Sequence, residues 1–278
     1  MNHKEFISWI NAPVKRPLVM GIVNTTPDSF SDGGLFIDPQ RALSHALDMI
    51  AAGADIIDIG GESSRPGADS VSSEIESERV LPVVRLLRAA DDVCISIDTV
   101  KPDVAQQALE AGATMINDIS GCRDRDMIRI VKDHGVPVII MHMKGTPKDM
   151  QKNPVYEDVI EEIKTYLSRR IDDLITGGVP AHHIIVDPGI GFGKSVADNF
   201  TLLRRLSELQ SLDKPILIGP SRKSFIGMTL NLPPEDRLEG TIAATVAGVL
   251  QGARIVRVHD VKAVKRALVI TEKLIPVA

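Results

Sequence analysis

The 278-residue sequence predicts an α/β protein built as a closed (β/α)8 barrel, and three observations carry that prediction. Eight short runs rich in Val, Ile and Leu each end in polar or glycine residues. Most are followed by a stretch with helical spacing, and no proline-rich or charge-rich linker interrupts the alternation. An open, doubly wound sheet is the alternative arrangement of the same units.

The strands read as 18–24, 55–61, 93–98, 115–119, 137–143, 184–187, 216–219 and 254–259. They are near-continuous apolar runs, as a parallel sheet covered on both faces requires. Among the helices between them, 39–52 places Ala42, Leu43, Ala46, Leu47 and Ile50 on one face. Pro102 stands near a helix start, and Gly53, Gly112, Gly135, Gly177 and Gly252 stand where helices stop. Residues 1–16 read as an N-terminal cap on the lower end of the barrel, and 17–278 as the barrel domain.

With 44% hydrophobic and 25% charged residues, the chain has ample apolar surface for one core. A net charge of −5 argues against general binding to nucleic acid or anionic membranes, while leaving room for a local basic pocket. Cys94 and Cys122 lie far apart within apolar stretches, so neither a disulfide framework nor a cysteine metal site is expected. The apolar patch at 6–10 is too short for a signal peptide, and the run 136–141 is too short to span a bilayer. A cytoplasmic protein is the expectation.

In such barrels the reacting groups collect at the carboxyl ends of the strands, where the following loops surround one mouth. Those ends carry, in order, Asn24; Glu62, Ser64 and Arg65; Asp98; Asn117; His142; Asp187; Ser221, Arg222 and Lys223; and Arg257 with His259. An isolated Asp or Asn there is most simply a cap on the next helix, but capping does not call for Lys, Arg and His at the last two strands. Asp98, Asn117 and Asp187 suit a planar heterocycle with adjacent donors and acceptors. Arg65, Arg257 and His259 make an electropositive corner suited to a phosphate-bearing group.

Other signals carry less. The adjacent His182 and His183 point different ways at a strand's amino end, away from the mouth, and His142 reads as a core or supporting group. No HExxH or paired CxxC points to zinc. Gly193, Lys194 and Ser195 mimic the end of a phosphate-binding P-loop, yet Pro188 stands where that motif needs glycine. The series Gly189, Gly191, Gly193 also fails the dinucleotide spacing, and reads instead as a flexible loop presenting Phe192.

Seven ordered motifs are more specific: MGIVNTTPDSFSDGG from Met20, GGESSRPGA from Gly60, SIDT from Ser96, INDISG from Ile116, VDPGIGFGK from Val186, GPSRKSFIG from Gly219 and RVHDV from Arg257. Together they resemble the dihydropteroate synthases, from about residue 18 to the C-terminus. The resemblance implies a TIM-barrel transferase of folate biosynthesis that joins 6-hydroxymethyl-7,8-dihydropterin diphosphate to 4-aminobenzoate, releasing diphosphate and 7,8-dihydropteroate. It implies Asp98, Asn117, Asp187 and Lys223 around the pterin, with Met141 lining it. Asn24, Arg257 and His259 would grip the diphosphate, Asn24 also through Mg²⁺. Phe30, Ser64, Arg65, Pro66, Phe192, Ser221 and Lys223 would shape the aminobenzoate site. Asp32 would face the reacting carbon, making Asp32, Lys223, Arg257 and His259 the implied catalytic set.

The implied reaction is SN1-like, because an electron-rich dihydropterin delocalises the positive charge left when diphosphate departs ahead of attack. The loop 25–35 then reads as a lid that keeps water from that cation. Sulfonamides would compete with 4-aminobenzoate, and a homodimer through the last helices fits the family habit. Two departures stand out: Ser64 replaces the usual Thr, and Pro220 stands where Met or another apolar residue is common. The rival readings are a corrinoid-dependent folate methyltransferase, which has no use for a diphosphate corner, and a non-catalytic pterin-binding paralogue.

Overall fold

A computed structural model describes residues 1–13, 15–26, 38–65, 67–150 and 154–275. Its strands are β1 (Leu18–Asn24), β2 (Ile56–Gly60), β3 (Cys94–Asp98), β4 (Met115–Asp118), β5 (Val138–Met141), β6 (Ile184–Asp187), β7 (Ile216–Ile218) and β8 (Ala253–Val258). All pair in parallel in chain order, and β1 also pairs with β8, setting Leu18 beside Ile255. The barrel is therefore closed, and the open sheet is excluded.

The described helices are α1 (His3–Asn11), α2 (Pro39–Ala51), α3 (Ser73–Ala90), α4 (Pro102–Glu110), α5 (Arg125–His134), α6 (Val159–Thr176), α7 (Val196–Arg204), α8 (Ser224–Leu230), α9 (Leu238–Leu250) and α10 (Val261–Leu274). On α2 the buried stripe is Ala42, Ala46 and Met49, while Leu47 is exposed. The i, i+4, i+7 spacing puts Met49, not Leu47, toward the strands. The helix α6 stops at Gly177, as expected; this glycine caps it in a right-handed conformation, and Gly178 takes the positive φ of 94°.

Side chains alternate across each strand, and this alternation builds the site. One parity carries Val19, Ile57, Ile95, Ile116, Ile140 and Val186 outward into a cluster shared with the helices. The other carries Leu18, Met20, Ile56, Cys94, Met115, Ile139, Ile185, Leu217 and Ile255 into a second cluster inside the barrel. Phe6, Trp9 and Ile10 of α1 join this inner cluster and close its foot. A capping box starts α1, with Asn2 Oδ1 accepting from Glu5 N at 3.0 Å and Glu5 Oε2 from Asn2 N at 2.9 Å.

Two residues further along the inward parity, the floor changes character. Asp58 follows Ile56, Ser96 and Asp98 follow Cys94, Asn117 follows Met115, Met141 follows Ile139, Asp187 follows Ile185, and Arg257 follows Ile255. An apolar foot thus supports a polar top, and the expected strand-end groups converge because they share one parity.

Candidate active site

At the centre of this polar layer lies Arg257. Its Nε donates to Asp58 Oδ2 at 2.6 Å and one terminal nitrogen donates to Asp98 Oδ2 at 2.7 Å. Asn117 Nδ2 donates to the same Asp58 oxygen at 3.2 Å. Asp58 is fully buried, and its Oδ1 has no hydrogen-bond partner. Burial pushes the Asp98 carboxyl up to about 7, with Arg257 opposing the rise and Asp58 adding to it. Gly60 makes the space: a Cβ there would lie 3.3 Å from the Asp98 Cβ.

Across the mouth, Asp187 Oδ1 accepts from Gly189 N at 2.7 Å. Burial raises this carboxyl to about 6, against the Gly189 amide and the charges of Lys194, Lys223 and Arg257. Lys223 precedes α8, where the turn 220–223 closes through Lys223 N to Pro220 O at 3.2 Å. Its ammonium sits 3.8 Å from the centre of the Phe192 ring, and burial followed by Arg257 lowers it to about 8. Phe192 packs with Met141 and Met150.

Ser221 and His259 form the third part. Ser221 Oγ accepts from the His259 backbone N at 3.2 Å and lies 2.9 Å from His259 Nδ1. The hydroxyl proton is then best spent on Nδ1, which assigns the imidazole proton to Nε2. Burial, then Arg257, hold His259 down to about 4, so near neutrality it is an uncharged donor. Arg222, at φ 56°, turns from the site to grip Asp260 with two nitrogens at 3.0 and 2.6 Å.

The pattern of the family described as pterin binding enzyme matches residues 20–259. The chain belongs to the pterin-binding enzyme family. It is 48% identical to a dihydropteroate synthase of a Synechocystis species, over 94% of this chain and 91% of that protein. A solved Yersinia pestis dihydropteroate synthase in a sulfonamide drug complex shares 46% identity at a TM-score of 0.89, covering 93% of this chain and 94% of that one. A Xanthomonas albilineans dihydropteroate synthase with 4-aminobenzoic acid shares 45% identity at a TM-score of 0.88, covering 95% and 94%.

In this pterin-binding enzyme, Asp98, Asn117, Met141, Asp187, Phe192, Ser221, Lys223, Arg257 and His259 all meet at the mouth. Asn24 ends β1 half-buried beside Gly60. Ser64 and Arg65 follow β2, the second exposed. Phe30, Asp32 and Pro66 lie outside the described residues, as does most of the loop 25–35. The electropositive corner takes a different form from the one expected, since the Arg257 charge is shared between two carboxylates and His259 is neutral. The loop 188–194, expected to be flexible, is instead buried and held by hydrogen bonds, with Gly191 N donating to Asn199 Oδ1 at 2.7 Å and Tyr156 OH to Gly193 O at 2.6 Å.

Sequence reasoning missed two groups. Asp58 sits inside the run DIIDIG, and the parity it shares with Ile56 marks a carboxylate aimed into the barrel. The other is Lys194, which ends the P-loop mimic but is buried, donating to the Gly189 and Phe192 carbonyls that the glycine series turns toward it.

Proposed function

We propose that this chain works as a dihydropteroate synthase, joining a dihydropterin diphosphate to 4-aminobenzoate in folate biosynthesis. The observation that carries the reading is the array of buried Asn117 and Asp187 and half-buried Asp98 and Lys223 around Arg257 at the top of a closed barrel. Carboxylates and an amide facing inward offer paired acceptors and donors to the edge of a flat, nitrogen-rich ring. Met141 offers that ring an apolar face.

The diphosphate end belongs with Asn24 and His259. The Nε2–H of His259 donates to a phosphate oxygen without adding charge, and Arg257, fixed by Asp58 and Asp98, supplies a positive field where the leaving anion develops. Asn24 presents one neutral hard oxygen, and no group of three His, Cys, Asp or Glu able to hold a metal lies among the described residues. That donor suits Mg²⁺, which keeps waters and takes the rest of its shell from phosphate. A bound Mg²⁺ would supply Lewis-acid polarisation of the diphosphate oxygens.

Ser64, Arg65, Pro66, Phe30, Ser221, Phe192 and Lys223 are assigned to 4-aminobenzoate, and sulfonamides are expected to compete there. Asp32 is assigned to the reacting carbon. The neutral aniline nitrogen needs positioning more than deprotonation, so Asp98 and Asp187 serve as binders, not as an acid–base pair. The cytoplasm is the proposed compartment; no described helix is long and apolar enough to cross a membrane.

The test is diphosphate release with the dihydropterin diphosphate and Mg²⁺, with and without 4-aminobenzoate, together with detection of 7,8-dihydropteroate. Release that depends on the aminobenzoate and matches product is expected. Binding of the pterin without either product would mean a non-catalytic pterin binder.

A further inference from the structure

Lys194 is 3% exposed, and no carboxylate among the described residues lies within ion-pair distance of it. Its ammonium instead donates to Gly189 O and Phe192 O, each at 2.9 Å, and lies 3.2 Å from His142 Nδ1 and 3.5 Å from His142 O. Three N–H donors thus meet two loop carbonyls and one imidazole nitrogen. Burial, then the Lys194 charge, hold His142 down to about 2, which keeps Nδ1 an acceptor. Burial also lowers Lys194, to about 7, against the Asp187 charge, and its amine nitrogen keeps N–H donors for the two carbonyls in either form.

The backbone around this cation is built to receive it. Gly189 has φ 70°, and a Cβ there would lie 2.0 Å from His142 O; at Gly193 it would lie 2.3 Å from Lys144 O. The loop therefore lies flush on the exit of β5, with the ammonium pinning both sides. The Phe192 carbonyl so held belongs to the residue whose ring carries the Lys223 ammonium 3.8 Å from its centre.

We propose that Lys194 is a positioning residue: its buried ammonium cross-links the exit of β5 to the loop after β6, and thereby holds the Phe192 ring against Lys223 on the aminobenzoate side of the site. The inference rests on the assignment of Phe192 and Lys223 to the substrate sites made above. It gives the lysine of the GFGK motif a mechanical role, one cation serving the carbonyls that the glycine turns bring together.

A double-mutant cycle separates this role from general support of the fold. Lys194→Met and Phe192→Leu, singly and together, are assayed for kcat and for KM toward 4-aminobenzoate, with thermal unfolding of each variant measured in parallel. Each single change is expected to raise KM about tenfold with kcat changed less than about threefold, and the pair to cost no more than the worse single, because both break one linkage. Effects that multiply to about a hundredfold, or an unchanged KM in Lys194→Met, would overturn the proposal. If Phe192→Leu alone left KM unchanged, the assignment of Phe192 would fall and this inference with it. Should Lys194→Met unfold at the assay temperature, Lys194→Gln, which keeps two N–H donors, takes its place in the same cycle and is judged by the same coupling.

Discussion

Asp187 has Oδ1 committed to the Gly189 amide, so replacing its carboxylate by an amide disturbs both the loop and any ring donor it faces. Asp187→Asn is expected to weaken binding of a pterin ligand by roughly 2 to 4 kcal/mol, measured by calorimetry, because one acceptor of a charge-assisted pair becomes a donor facing donors. Unchanged affinity would take Asp187 out of the pocket. His259 bears on stability as well as binding. Its imidazole is held at about 4 in the folded protein against an ordinary 6.5. Between those values the unfolded chain binds more protons than the native one, so this group's contribution weakens as pH falls from 6.5 toward 4 and is constant above 6.5. The Tm of wild type minus that of His259→Gln should therefore be flat above pH 6.5 and decline below it. A difference independent of pH would show that the imidazole is not buried as described.

Between elements, the segment after β2 is tied to its neighbours by one lysine. Lys101, just ahead of α4, donates to Glu62 Oε2 at 2.6 Å and also to Glu76 of α3, which is 1% exposed. Glu62 Oε2 in turn accepts from Val71 N at 2.9 Å, so the bridge spans the segment that carries Ser64 and Arg65. Lys101→Met strands a buried carboxylate and is expected to cost about 3 kcal/mol in denaturant unfolding. Adding Glu76→Gln should recover much of that loss; if it does not, the cost lies elsewhere than in the Glu76 charge. Such a bridge is hard to read from sequence, because Glu62 and Glu76 lie at opposite ends of the segment after β2, Lys101 lies on the next unit, and all three look like solvated charges. The strands were legible for the opposite reason, since a short, near-continuous run of Ile, Val and Leu is a local property of the sequence. Their ends shifted by a residue or so; Asp55, expected to open the second strand, is turned instead toward Arg16 and Lys265 at 2.7 and 3.1 Å.

For the whole molecule, eight strand-then-helix units pointed to a closed barrel and the polar groups of its mouth were legible as strand ends, while closure itself rests on the pairing of β1 with β8 and the convergence of the groups on their shared parity. Asp58 escaped notice because a carboxylate in an Ile-rich strand looks like a flaw until Arg257, from the far end of the chain, arrives beside it. Lys194 escaped because its partners are backbone carbonyls, which no motif displays. The last helices leave Leu250, Val269, Ile270 and Leu274 at least half exposed, with Ile270 at 64%. Solvated apolar side chains on adjoining helices suit a partner surface, and a second copy of this chain is the proposed one. Sedimentation should give twice the chain mass, and Ile270→Glu should shift the protein to monomer; a monomeric wild type would remove the dimer.

The one tryptophan of the chain lies at the barrel foot, its ring tilted on Phe6 at 5.4 Å and its Nε1 donating to Arg16 O at 2.9 Å, beneath the apolar floor and away from the mouth. An indole so placed makes a poor witness to what happens at the other end. Its emission should respond to loss of the native core and stay silent when the site fills, so a flat fluorescence titration says nothing against binding. The same silence gives every ligand experiment on this protein an internal optical standard for the amount still folded.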